Sequence, residues 1–313
     1  MKTMETDTKE IISRIDFNKI TDHPNILVAA RFWEDDRFNA AVNCYKFMRT
    51  IDDMIDDQKA KDETFGCLEK QILTEKVKNW INCLNHSVNG DPFLNKLIDT
   101  ITTYKIPLRL FHNFARSMQY DIDNNGFATF EDFLDYADGA SVAPASVFVH
   151  LCCLTKKNGE IQVPPFDVIE AARPCAIFSY IVHIIRDFQK DQKNNLNYFA
   201  LDILSRYNLR PEDLKAIAHG APVTDSFRSV IRDYMDYAQL WGARTLLEIG
   251  KLENTVKGRY LLSLHIIYNL YLQVFNRIDV DHGSFTTREL NPTMEEIRQN
   301  VMNVLEMSNI STA

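Results

Sequence analysis

The sequence predicts an all-α fold, and three observations carry that expectation. Apolar residues recur at three- and four-residue intervals along most of the 313 positions, the period of a helix with one buried face. No segment alternates apolar and polar residues as a half-buried strand would. Turn signals such as Asn89-Gly90-Asp91-Pro92 divide the chain into pieces of helical length. No linker, internal repeat or low-complexity segment interrupts it, so one large domain is expected.

In chain order, residues 8–20 carry Ile11, Ile12, Ile15 and Ile20, a modest amphipathic pattern that His23-Pro24-Asn25 breaks. Asn25 is placed to cap a short helix reaching Trp33. A helix over residues 36–57 follows, then one over 64–86 with Leu68, Ile72, Val77, Trp80, Ile81 and Leu84 turned inward. Helices over 92–103 and 107–122 are parted at Ile106-Pro107. A helix over 130–155 holds small residues from 137 to 146 and Pro144, whose missing N–H predicts a kink. Residues 157–165 read as a loop. A helix over 166–193 should bend at Pro174 and end at Asn194-Asn195. The remaining helices fall at 211–219, 223–251, 257–279 and 292–308. Two of them carry the aromatics Tyr234, Tyr237, Trp241, Tyr260, Tyr268, Tyr271 and Phe275, residue types that most often fill a core.

Residues 121–132 have the outline of a calcium-binding loop, with Asp121, Asp123 and Asn125 at alternate positions and Gly126 at the sixth. Asp132 stands where a longer glutamate is usual, and no partner loop exists. The preferred reading is a polar inter-helix turn in which Thr129 caps the next helix.

Two helices carry the chemistry. On a helix, where residues advance about 100° each, Tyr45, Arg49, Asp52 and Asp56 fall at offsets of four, seven and eleven and form one stripe. Two acids one turn apart repel, and a divalent cation between them reverses that sign. Mg²⁺ suits the oxygen ligands and is commonly held by one or two carboxylates together with substrate phosphates. A solvated charged face would be the bland alternative, but a second helix repeats the pattern. Asp187 and Asp191 lie four apart beside Arg186, among Ile177, Ile181, Ile184, Ile185 and Phe188, which would bury that helix. Two such helices facing each other can hold metal ions and a diphosphate between them.

This pair of motifs resembles the squalene/phytoene synthase family. Tyr45, Arg49, Asp52 and Asp56 match the family's first signature, Tyr-x-x-x-Arg-x-x-Asp-x-x-x-Asp. His183, Arg186, Asp187 and Asp191, then Leu196 and Tyr198, match the second, Asn-x-x-Arg-Asp-x-x-x-Asp followed by Arg-x-Tyr, with two departures. His183 replaces the asparagine and Leu196 the arginine; imidazole suits Mg²⁺ poorly, and leucine cannot grip phosphate. Residues 136–150 sit where the family has a small-residue helix beside the substrate.

The resemblance implies a helical isoprenoid synthase fold with a central substrate cavity. It implies an N-terminal extension over 1–22, a catalytic domain over 23–290 and a C-terminal helix and tail over 291–313. It further implies a prenyltransferase that condenses two prenyl diphosphates head-to-head, farnesyl diphosphate before geranylgeranyl diphosphate, to a cyclopropyl diphosphate and then squalene or a related polyene. Asp52, Asp56, Asp187, Asp191 and His183 would hold Mg²⁺, or Mn²⁺ in its place. Tyr45, Arg49, His183, Arg186, Tyr198 and Tyr268 would contact substrate. NADPH serves the family's squalene makers; the Gly-x-Gly-x-x-Gly signature absent here is not one they use. Transfer to another small acceptor, and a silent prenyl-lipid-binding relative, stay open as alternatives.

Composition narrows the partners. The net charge of −8, from 35 basic and 43 acidic residues, argues against a nucleic-acid partner. Six cysteines without Cys-x-x-Cys or zinc spacing suggest free thiols in a reducing cytoplasm. The N-terminal residues lack a signal peptide's apolar run, and no stretch approaches the ~20 unbroken apolar residues of a membrane span. Peripheral contact with the inner face of a membrane is expected only because the products would be oily.

Overall fold

The structure is a computed structural model that describes residues 25–61, 66–84, 91–253, 255–256 and 258–310. The amphipathic pattern at 8–20 and the 1–22 extension lie outside the described residues. The chain opens with α1 (Asn25–Ala30) and α2 (Asp35–Lys61), the first acidic helix, one turn longer than expected. Next come α3 (Cys67–Cys83), α4 (Pro92–Thr103) and α5 (Leu108–Asp123). Asp91 caps α4 by accepting from the Phe93 and Leu94 amides at 3.0 Å each. In α3 the inward stripe is Leu73, Val77, Ile81 and Leu84. Leu68 and Ile72, expected inside, are 69% and 48% exposed. They sit one residue step, about 100°, off the line that meets α5.

The predicted helix over 130–155 is three pieces: α6 (Phe130–Ala137), a π-helical turn (Asp138–Val142) and α7 (Ala143–Cys153). The wide turn closes with the Ala143 amide donating to the Asp138 carbonyl. Pro144, which brings no N–H, lies in the first turn of α7, where none is needed. The kink therefore precedes the proline. Gly139 in this turn presses on α5: a Cβ there would lie 2.2 Å from both the Asn113 carbonyl oxygen and Ser117 Oγ.

Residues 157–165 are not all loop. β1 (Thr155–Lys157) and β2 (Glu160–Gln162) pair antiparallel. Asn158 and Gly159, at φ 53° and 83°, make the two-residue turn. This hairpin is the one departure from an all-α fold among the described residues.

α8 (Val168–Arg186) is capped by Asp167 and bends at Asp187 into α9 (Phe188–Lys193). Then follow α10 (Leu201–Arg206), α11 (Pro211–Ala218), α12 (Asp225–Leu252), α13 (Arg259–Phe275), α14 (Thr287–Leu290) and α15 (Met294–Ile310). α10 and α14 were not anticipated. α8 is the centre of the bundle, packed most heavily against α12 and also against α7, α13 and the π turn. It is long and apolar enough to cross a membrane by length and composition alone, but Glu170, Arg173, His183 and Arg186 interrupt it and most of it is buried inside the protein. α2 packs on α4, α5 and α7. Among the described residues α2 and α8 share no extensive contact; both pack on α7, so the acids of α2 and those at the α8–α9 bend are set apart, not in helix–helix contact.

Gly139→Ala is expected to force α5 and the π turn apart, at a cost of about 1–3 kcal/mol. A lower urea midpoint with an unchanged slope would show it; an unshifted midpoint would mean that this close approach carries no stability.

Candidate active site

α2 presents its polar stripe because Phe47, Met48, Ile51 and Ile55 bury the opposite side. Arg49 donates to Asp52 Oδ2 at 3.0 Å and lies 2.6 Å from Asp53 Oδ1, so one guanidinium serves two carboxylates. Burial raises the Asp52 carboxyl to about 6; the Asp121 and Asp53 charges reinforce it, and Arg49 opposes it without prevailing. Asp56 is pushed well above the carboxylate range by burial and then by Asp52, Asp121 and Asp191. Its Oδ1 is enclosed with no hydrogen-bond partner among the described residues. Burial also pushes the Tyr45 hydroxyl up to about 12.

Across the gap, Arg186 grips Asp187 with two hydrogen bonds of 2.7 Å, from Nε and from one terminal nitrogen. His183 Nε2 lies 2.9 Å from the same carboxylate. Burial works against the Asp187 anion, but His183 and the Arg186 bonds outweigh it and hold the group below the usual range. Burial and then Arg186 lower His183, which is therefore a neutral ring at pH 7. Its side chain keeps 39% exposure, so it lines the gap instead of filling the core. Asp191, one turn on, is raised by burial and by Asp187, with a further contribution from Asp52. The acid pairs thus feel each other across the gap: Asp191 acts on Asp56, and Asp52 on Asp191.

An aromatic wall adjoins the acids. Tyr180 stacks on Phe133 at 5.5 Å between centroids and meets Tyr198 at 6.2 Å and Tyr136 at 6.3 Å. The Tyr198 hydroxyl is raised by burial and then by Asp56, which places it beside the first acid pair. Leu196 is buried. Tyr268 packs on Phe178 at 5.5 Å. Tyr271, one turn along α13, is the tyrosine whose charged neighbours are Arg186 and Asp187.

Sequence reasoning did not single out Tyr136, Tyr180, Tyr271, Lys59 or Asp121 as site residues. Lys59 could have been found, because it continues the stripe three residues after Asp56. Asp121 had been read as part of a calcium-loop outline. Its carboxylate is instead paired with the Lys59 ammonium and accepts from the Tyr136 hydroxyl at 3.4 Å. Thr129 and Asp132 form a reciprocal cap on α6, as the turn reading requires.

The donor set fits Mg²⁺ on the terms that ion usually accepts. No three His, Cys, Asp or Glu side chains among the described residues close into a cage. Pairs of carboxylates, one of them with an unpartnered enclosed oxygen, suit a hard cation that completes its shell with phosphate oxygens and water.

Fold and site together define an all-α protein with two acid pairs, one on α2 and one at the α8–α9 junction, whose charges act on each other. The squalene/phytoene synthase family profile matches residues 22–296, and the chain belongs to that family. It is 22% identical over 257 residues to the chloroplastic phytoene synthase of Daucus carota, covering 81% of this chain and 60% of that protein. It is 23% identical over 249 residues to that of Cucumis melo, covering 78% and 54%. The chain thus spans little more than half the length of these relatives. Among solved structures, a dehydrosqualene synthase in complex with ligand superposes with a TM-score of 0.69 at 14% identity, covering 100% of this chain and 99% of the other. A squalene synthase from Alicyclobacillus acidocaldarius superposes at 0.63 with 15% identity, covering 87% and 91%. These superpositions establish the helical isoprenoid synthase fold.

A carboxyl whose pKa rises on folding stabilises the fold below its unfolded value and loses that contribution as pH rises through the folded one. For Asp52 the window runs from 3.8 to about 6. In the absence of divalent ions, Asp52→Asn is expected to melt above the wild type at pH about 8, with the gain vanishing below about pH 4. Thermal melts in a chelator decide it; a variant less stable than the wild type at the higher pH would refute the repulsion.

Proposed function

We propose that this chain is a Mg²⁺-dependent prenyltransferase that joins two prenyl diphosphates head-to-head. The reading is supported above all by Asp56 Oδ1, an oxygen of the first acid pair that is enclosed and has no hydrogen-bond partner among the described residues. A site that holds mutually repelling carboxylates together and leaves an enclosed oxygen of one of them without a partner is suited to receive a cation.

Bound Mg²⁺ would act as a Lewis acid and template for the diphosphate, with Mn²⁺ a substitute. Asp52 and Asp56 from α2, Asp187 from the bend between α8 and α9, and Asp191 from α9 would hold it. His183, neutral and bonded to Asp187, would orient that carboxylate. Arg49 and Arg186 line the same cleft and would present charge-assisted hydrogen bonds to phosphate oxygens. Tyr45 and Tyr198 would orient the phosphate. In the reaction the allylic C–O bond breaks and the diphosphate leaves with the electron pair. The double bond of the second substrate attacks the cationic carbon, and loss of a proton closes a cyclopropane. The rings of Tyr136, Tyr180 and Tyr198 would exclude water and face the positive charge. Tyr268, packed on Phe178, would border the prenyl chain.

Farnesyl diphosphate is the proposed substrate, supported by the names of the solved neighbours, a dehydrosqualene and a squalene synthase. The phytoene synthases among the relatives favour geranylgeranyl diphosphate as the second reading. Reduction by NADPH would yield squalene; without it, the cyclopropyl diphosphate or a dehydro product. The site is proposed to act in the cytoplasm, against a membrane that receives the product.

Incubation with each diphosphate and Mg²⁺, with and without NADPH, followed by mass spectrometry, is expected to give a C30 product from the shorter substrate. No diphosphate release from either would overturn the assignment. Asp52→Asn and Asp187→Asn are each expected to lower turnover by roughly 100-fold or more; full turnover would reject the site.

A further inference from the structure

Lys59 poses a problem that the proposed chemistry does not address. Its side chain is 7% exposed, and it lies three residues after Asp56 on the same helix face. Residues three apart on a helix are neighbours, and an ammonium on a flexible four-carbon stem adapts to the nearest carboxylate. Asp56 Oδ1 is enclosed and has no partner. An internal Lys59–Asp56 pair would therefore be the default arrangement, and it would occupy an oxygen that a metal needs. That pair does not form. Lys59 is turned to Asp121, 62 positions away in sequence, and also donates to the Asn124 carbonyl at 3.2 Å. Asp121 is itself 6% exposed and fixed from its other side by the Tyr136 hydroxyl.

We propose that Asp121 is a positioning residue: its carboxylate draws the Lys59 ammonium off Asp56 and so keeps Asp56 open to a divalent cation. The inference rests on the reading of Asp56 as a metal-holding group. Asp121 then touches neither metal nor substrate. It acts through Lys59, and the end of α5 is built to hold it there. The arrangement keeps a positive charge close enough to temper Asp52 and Asp56 without tying either up. It also ties the aromatic wall to the acid stripe, because Tyr136 and Lys59 share one carboxylate.

The pairing makes an asymmetric forecast. Asp121→Asn keeps the shape and the Tyr136 contact but releases Lys59, which should then close on Asp56. Adding Lys59→Met removes the competing ammonium, so the double variant should recover what the single one loses. The readout is Mg²⁺ binding in the presence of inorganic pyrophosphate, by calorimetry and by thermal shift, independent of turnover. Asp121→Asn is expected to weaken Mg²⁺ binding by about 10-fold or more, with the double variant binding about as tightly as the wild type. A merely structural role would be worsened by the second substitution, not relieved. Should the single variant fail to fold, the double variant carries the test: wild-type-like binding upholds the proposal and a loss of about tenfold overturns it. A wild-type chain that binds no Mg²⁺ with pyrophosphate sinks the proposed function and this inference together. Wild-type binding with unchanged Asp121→Asn binding, or a double variant as weak as the single, sinks this inference alone.

Discussion

Repulsion between enclosed carboxylates is the constraint that the rest of this structure answers. Asp52, Asp56 and Asp191 are all pushed up, each by burial first and then by neighbouring carboxylates: Asp121 and Asp53 on Asp52; Asp52, Asp121 and Asp191 on Asp56; and Asp187 and Asp52 on Asp191. An uncompensated buried charge costs several kcal/mol, so the bundle must hold these groups together by other means. It does so with apolar anchors. Phe47, Ile51 and Ile55 fix one side of α2, and Ile181, Ile184 and Ile185 fix α8. The acids are thereby held at the cleft by burial of their own helices, not by pairing with each other's cations. Stability that could have been gained by neutral residues is given up at this one place, the usual mark of a functional site.

The cations follow from the same constraint. Arg186 is spent on Asp187, Arg49 on Asp52 and Asp53, and Lys59 on Asp121. Each commits to a carboxylate in a way that leaves Asp56 and Asp191 unpaired by any side chain among the described residues. One acid of each pair holds a guanidinium, and the other is left to its neighbours' charge. A pair in which both acids were salt-bridged would have no reason to take a metal, and a pair in which neither was would be harder to keep folded.

Much of this was legible in sequence because it is local. A four-residue spacing of aspartates beside an arginine is a statement about one helix face, and helix geometry converts it directly into a shared stripe. The order and bounds of the main helices were legible for the same reason. What was missed is non-local or too short to register. Leu68 and Ile72 are apolar, and only contact with α5 decides that Leu73 and Val77 form the buried line. The hairpin has three-residue strands, too brief for alternation to show, though Asn158-Gly159 is itself the usual hairpin turn pair. Asp121 looked like the first ligand of a calcium loop because its neighbours in sequence have that outline. Its partners in space, Lys59 and Tyr136, come from other elements, and no local pattern could supply them.

The two departures from the family signature become intelligible in these terms. At the first, the family asparagine is a neutral amide, and His183 is lowered by burial and by Arg186, so the position remains neutral. Its Nε2 lies 2.9 Å from Asp187 Oδ2, a contact that orients the acid. The second is different in kind. Leu196 removes a guanidinium and fills the space with a buried alkyl group, while its amide donates to the Asp191 carbonyl at 2.8 Å and closes the end of α9. The backbone role is kept and the charge is lost. Arg49, Arg186 and Lys59 each already serve a carboxylate, so among the described residues the proposed diphosphate has to share its guanidinium donors with the acids. On the proposed reading, its neutralisation must then fall more heavily on divalent ions, and the oxygen that Asp121 keeps open on Asp56 matters more here than in relatives that retain the arginine.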